Sequence, residues 1–305
     1  MESKKRLLIT GGAGYVGSQL ALNALKSGFL VSILDTINPS EQDIELLIHN
    51  PSITYFYGNL IDSAVLENCT KNIDFIVHLA GISDGRAGKE NPELTKKINI
   101  DTLDQLLTIS KKAGVKRFIF ASTMGVYGNS YKVPLTEDLE LKPIDPYSES
   151  KAIGEKIVLE ANSNSFSTLC LRMAMVYGLS PKMRFDFIVN RLTLDAIQKK
   201  TITIMGGSQK RPQIHIDDLC ELFLELFIID EKLFKNQCYN AVGQNPSIEA
   251  MIHEIQNQLS GVEINKLPIR ENEDSFEMDG NKLIAKTGII FKRNLKIGIK
   301  EIINK

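Results

Sequence analysis

The chain has 305 residues, enough for a substantial core in one large unit or two smaller ones. Its 36 basic and 37 acidic side chains leave a formal net charge of −1, so there is no basic field of the kind nucleic acid needs. Four cysteines without a C-x-x-C pair, and four histidines without ligand spacing, point to reduced structural thiols and away from a metal site. The apolar run after Lys4, Lys5 and Arg6 is shorter than the roughly 7–15 residues of a signal core or the roughly 20 of a membrane span. A cytoplasmic protein with no membrane partner is expected.

Short apolar runs alternate with longer segments of helical spacing. Strands are expected at 6–10, 30–35, 53–60, 74–81, 117–123 and 167–178. Helices are expected at 16–28, 99–114 and 147–162, the first ended by Gly28. Strands that lack period-two alternation and are separated by helices indicate a parallel sheet covered on both faces: a doubly wound α/β (Rossmann) fold. After about residue 178 helical segments dominate, near 186–199, 216–229 and 247–259, with short strands at 201–205, 238–242 and 262–269. A division into a dinucleotide-binding unit, 1–177, and a smaller mixed α/β substrate lobe, 178–305, is expected. The chain should return to the sheet somewhere in 210–243.

The stretch TGGAGYVG, 10–17, links the first strand to the first helix. Gly11 permits a tight turn, Gly14 lets backbone N–H groups approach a pyrophosphate, and Gly17 lets helix pack on strand. The helix N-terminus adds partial positive charge there. Asp35 ends the second strand, where a carboxylate accepts hydrogen bonds from ribose hydroxyls and repels a 2′-phosphate. The residues after it, TINPSEQD, offer no Arg or Lys. NAD is therefore the expected cofactor, in preference to NADP.

In PYSESK, 146–151, Tyr147 and Lys151 lie four apart and share a helix face. An ammonium near a phenol, whose pKa is ordinarily about 10, favours the phenolate. Tyr147 can then exchange a proton with a sugar hydroxyl or carbonyl while a cofactor handles the hydride. Lys151 can also hydrogen-bond the nicotinamide ribose. Thr123 closes the strand FAST at the sheet edge where such folds bind ligands, and its hydroxyl can bond the reacting oxygen.

Together TGGAGYVG, VHLAG, INI, ASTMGVYG, PYSESK, LRMAMVYG and RPQIHIDDL resemble an extended short-chain dehydrogenase/reductase, of the NAD-dependent sugar-nucleotide epimerase/dehydratase type. The resemblance spans residues 10–219. It implies a Thr123–Tyr147–Lys151 triad. It puts Gly11, Gly14, Tyr15, Val16, Gly17, Asp35, Asn59, Leu60, Ala80, Gly81 and Asn99 with the cofactor, Asn99 from behind. The family's usual Gly-Asp before the third helix is here Gly58-Asn59, and an Asn can still bond adenine. The resemblance also implies a homodimer joined through helices in 95–113 and 147–162.

Dehydratases of this type resemble one another in carrying Asp-Glu after the Thr. Met124-Gly125 stand here, and neither transfers a proton, so 4,6-dehydration is not expected. The expected reaction is epimerisation of a nucleotide sugar at C4, as in UDP-glucose 4-epimerase. A nucleotide-sugar 4-ketoreductase, or an NAD-binding sensor without turnover, remain the alternatives. On the substrate side Met175 replaces the Asn that epimerases carry before the YG turn. Ser83, Asp84 and Met124 are placed by the pocket, and Lys182, Arg184 and Arg191 bring positive charge suited to a diphosphate. Arg211 matches the family's diphosphate-contacting arginine, while His215 and Asp218 are read as structural.

Overall fold

In a computed structural model the chain is described over residues 4–40, 45–83, 85–128, 133–268 and 275–305. The first half runs β1 (Arg6–Thr10), α1 (Tyr15–Lys26), β2 (Leu30–Asp35), α2 (Glu45–Ile48), β3 (Ile53–Tyr57), α3 (Ser63–Cys69), β4 (Phe75–His78), α4 (Gly85–Glu90), α5 (Pro92–Lys96), α6 (Thr102–Lys112) and β5 (Arg117–Thr123). The second runs α7 (Pro146–Glu160), β6 (Ser167–Met173), β7 (Met175–Tyr177), α8 (Ile188–Lys199), β8 (Thr201–Met205), β9 (Gln213–His215) and α9 (Ile216–Leu226). It ends with α10 (Glu231–Phe234), β10 (Gln237–Ala241), α11 (Ile248–Gln258), β11 (Glu263–Leu267), α12 (Asn281–Thr287) and α13 (Leu295–Ile303).

Seven strands form one sheet in the order β10-β6-β5-β4-β1-β2-β3, every neighbouring pair parallel. Both faces are covered. Leu7 and Ile9 pack with α1 and α9 on one side, and Leu8 packs with α3 and α6 on the other, which is why the strands read as unbroken apolar runs. The chain reverses its winding between β1 and β4, so a crevice opens beyond their carboxyl ends. A further apolar cluster joins α8, α11, α13 and β8 through Leu192, Ile202, Met251, Ile255 and Ile299.

Two expected elements differ. The run 167–178 is two strands, because after Met173 the chain changes partner. Ala174 N–H still bonds Ala241 O at 3.0 Å, but Met175 N–H bonds Pro212 O at 3.1 Å. β7 thus pairs with β9 in a separate small sheet. The helix expected from 99 begins as a π turn over Lys97–Asp101 that leads into α6. No helix among the described residues is long and apolar enough to cross a membrane.

Candidate active site

A cavity of about 990 Å³ lies beyond the carboxyl ends of the central strands. The glycine loop forms its floor. Gly11 has φ +73, and a Cβ there would meet Ala80 N at 2.8 Å; a Cβ on Gly17 would meet Gly11 O at 2.2 Å. These two glycines are fixed by protein packing. Gly14 differs, since its Cβ would find only Gly11 O at 3.3 Å, and Gly14 borders the cavity. It precedes α1 without a side-chain cap, leaving the first amides of the helix to the cavity.

Asp35 is held by two backbone donors, Ala13 N–H at 2.9 Å to Oδ2 and Ile37 N–H at 3.1 Å to Oδ1, and it too borders the cavity. Tyr15, Val16, Gly17, Asn59, Leu60, Ala80 and Gly81 line the same wall. Asn59 Oδ1 accepts from Ile61 N–H at 3.1 Å, which leaves its amide NH2 to donate. Asn99 is buried behind the cavity and does not line it. Its side chain bonds Ile82 N–H, Ile82 O and Ser150 Oγ at 2.9, 3.0 and 2.9 Å, bracing the turn at Gly81 from behind.

Thr123, Tyr147 and Lys151 all line this cavity. Asp145 caps α7 by accepting from Ser148 N–H at 2.9 Å, and Pro146 occupies its first turn. That helix start presents Tyr147 and, one turn on, Lys151. The Lys151 ammonium donates to Ala121 O at 2.9 Å and sits 4.6 Å from the Phe120 ring centroid. Burial lowers its pKa to about 8. An ammonium has three donors, so two are left over for a ligand. Thr123 Oγ1 accepts from Gly125 N–H at 3.1 Å, leaving its O–H to donate.

The lining also includes Met175, Lys182, Met183, Arg184, Phe187, Ser83 and Met124. Arg184 NH1 donates to Ser83 Oγ at 3.1 Å, and its guanidinium is paired with Asp186. Asp84 lies outside the described residues. Arg191 is exposed on α8 and is not part of the wall. Arg211 does not itself line the cavity; its guanidinium bonds Lys210 O at 2.9 Å and covers the Phe276 ring at 5.5 Å. Phe276 itself lines the cavity, a contribution from near the chain's end that no local pattern signals.

His215, Asp217 and Glu301 converge, with candidate ligand atoms within 4.8 Å of one another. All are engaged in packing. His215 caps α9 and meets Glu301 at 3.0 Å. Asp217 accepts from Gln19 and Asn23 of α1, and Asp218 holds Arg293.

The sequence model of the NAD dependent epimerase/dehydratase family matches residues 7–241. The chain belongs to this family. Among members, an uncharacterised UDP-glucose epimerase of Bacillus subtilis is 32% identical over 225 residues, covering 70% of this chain and 69% of that protein. A dTDP-D-glucose 4,6-dehydratase of Dictyostelium discoideum is 30% identical, over 72% of this chain and 54% of its own length. The crystal structure of a UDP-glucuronic acid 4-epimerase from Bacillus cereus, in complex with UDP-glucuronic acid and NAD, superposes with a TM-score of 0.86 at 26% identity, over 98% of each chain. Overall similarity thus reaches both epimerases and dehydratases, and the choice between them falls to the residues at the reacting centre.

Proposed function

We propose that the protein is an NAD-dependent nucleotide-sugar 4-epimerase. The observation that carries this reading is the grouping of Thr123, Tyr147 and the buried Lys151 beside Met124-Gly125, which supply no second proton-transfer group for dehydration. The 4-epimerases among the relatives support it.

A dinucleotide suits the residues present: uncapped amides at α1, a bare Gly14 backbone bordering the cavity, an oriented Asp35 carboxylate and two open Lys151 donors. When bound, NAD supplies a hydride acceptor at sugar C4 that can return the hydride to either ring face. Tyr147 takes the C4 hydroxyl proton as the carbonyl forms and gives it back afterwards. Lys151 favours the phenolate and holds the nicotinamide ribose. Thr123 donates to the reacting oxygen. Residues 1–177 carry the cofactor, with Asp35 on the ribose and Asn59 on the adenine, while 178–305 contribute the substrate lobe, with Lys182 and Arg184 near the diphosphate.

We infer further that two copies pair through helices in 95–113 and 147–162, where Ile153 stands 44% exposed. The free cysteines suit a reducing cytoplasm. Light scattering giving a monomer mass would overturn the pairing.

The test of function is the absorbance of purified protein as nucleotide sugars are added singly, without free cofactor. Transient reduced nicotinamide with a C4 epimer in the product is expected. Silence in that assay, with oxidation of added NADH by a 4-keto sugar, would assign a ketoreductase instead.

A further inference from the structure

We propose that the sugar this site takes is a 6-deoxyhexose, presenting a methyl group where other nucleotide sugars carry a hydroxymethyl or carboxyl group. The inference rests on the nucleotide-sugar reading above.

The chain has eight methionines, and four of them border this one cavity: Met124, Met173, Met175 and Met183. Two of them adjoin Thr123 directly. Met173 is the strand-register partner of Thr123, so both side chains leave the sheet on the same side. Met124 follows Thr123 directly, on the short 3-10 turn Met124–Tyr127. Met175 opens β7, just past the point where the chain leaves the sheet. Ala174 between them is buried.

A thioether donates no hydrogen bond and accepts one only weakly. A hydroxymethyl group pressed on this wall loses water without finding a partner, which costs free energy. A methyl group loses nothing polar and gains contact with flexible, polarisable side chains.

A carboxylate fits less well still. The nearby guanidinium of Arg184 is paired with Asp186, with Nε–Oδ1 and NH2–Oδ2 both 2.9 Å, and also bonds Ser83. In the reading above it serves the diphosphate, so the methionine wall offers a carboxylate no donor of its own.

An apolar wall rejects an added hydroxyl only moderately, by about 100-fold. The expected preference for deoxy over hydroxylated sugar is therefore about 10- to 100-fold within one nucleotide base.

The experiment measures kcat/KM for UDP-6-deoxyglucose, UDP-glucose and UDP-glucuronic acid, repeats the first two as their TDP counterparts, and reads the ratio within each base. Calorimetric Kd values for the same sugars on Tyr147→Phe protein with NAD present separate binding from turnover. The deoxy sugar should win in both, and Met175→Asn should move the ratio towards one. Equal or reversed preference in the unmodified protein overturns the proposal, as does a ratio that Met175→Asn leaves unchanged. Retained binding preference without turnover of any sugar would defeat the epimerase reading and support this one. Turnover of all three without preference would do the reverse.

Discussion

Arg172 of β6 grips Glu155 of α7 through three hydrogen bonds: Nε to Oε1 at 3.0 Å, Nε to Oε2 at 3.2 Å and NH2 to Oε2 at 2.8 Å. Both side chains are nearly enclosed, at 7% and 4% exposure. Ser122 Oγ also donates to Glu155, and Arg172 NH1 donates to Tyr127 OH at 3.0 Å. Glu155 lies one turn beyond Lys151, so this pair ties the lysine's helix to the strands that end at Thr123 and Met173. Removing one partner of a buried pair leaves an uncompensated charge and costs about 3–5 kcal/mol, whereas replacing both with apolar groups is often near neutral. Glu155→Ala should lose about that much in urea unfolding, and Glu155→Leu with Arg172→Met should regain most of it. A single variant within about 1 kcal/mol of the parent, the level of a surface pair, would show that the pair does not hold the helix.

Lys151 sets an alkaline limit on activity. Burial holds its pKa at about 8, down from 10.5, so the cation that supports Tyr147 is present below about pH 8 and lost above it. The logarithm of kcat/KM should fall as pH rises through that value. Stability moves the other way. Between about 8 and 10.5 the unfolded chain holds a proton the native one has released, and the Lys151 contribution rises with pH there. A pH profile flat to 10 would remove the ammonium from the mechanism.

Tyr147→Phe should lower turnover by about 100- to 10,000-fold, the range of a lost acid/base group. Cofactor affinity should barely change, because only the proton-carrying oxygen is removed. Steady-state rates and an NAD titration on the same sample separate the two effects.

Asp35→Ala should weaken NAD about 10- to 100-fold, as expected for losing hydrogen bonds to a charged acceptor. NADP should suffer much less, since a repelling carboxylate is also gone. Equal losses for both cofactors would detach Asp35 from the ribose.

Gly14→Ala and Gly17→Ala should fail in different ways. At Gly17 the new methyl meets backbone at 2.2 Å from Gly11 O and 2.6 Å from Gly12 Cα. Overpacking of that kind costs about 1–3 kcal/mol or more in unfolding. At Gly14, which borders the cavity, the methyl meets only Gly11 O at 3.3 Å, so the unfolding midpoint should move far less while NAD affinity drops.

The parallel sheet, the glycine turn, Asp35 and the Thr123, Tyr147 and Lys151 positions were legible in the sequence because each is a local pattern: an apolar run, a glycine spacing or a helical i, i+4 pair. What escaped depends on distant partners. The split of 167–178 is decided by Ala241 and Pro212 competing for successive amides. Phe276 joins the cavity wall from far along the chain, where no local pattern marks it. The partners that hold Asn99 behind the cavity, Ile82 and Ser150, lie 17 and 51 residues away in the chain. The bracing of Lys151's helix by Arg172 joins residues 17 apart in the chain, and nothing in either segment announces it.

The seventh strand also imposes an order on biosynthesis. β10 seals the β6 side of the sheet, yet its residues, Gln237–Ala241, leave the ribosome long after β6 itself, Ser167–Met173. Until then β6 offers an unpaired edge, a template for any neighbouring nascent chain. Completion of the sheet waits on a non-local pairing of the sort that slows folding, so β6 gains its second neighbour late.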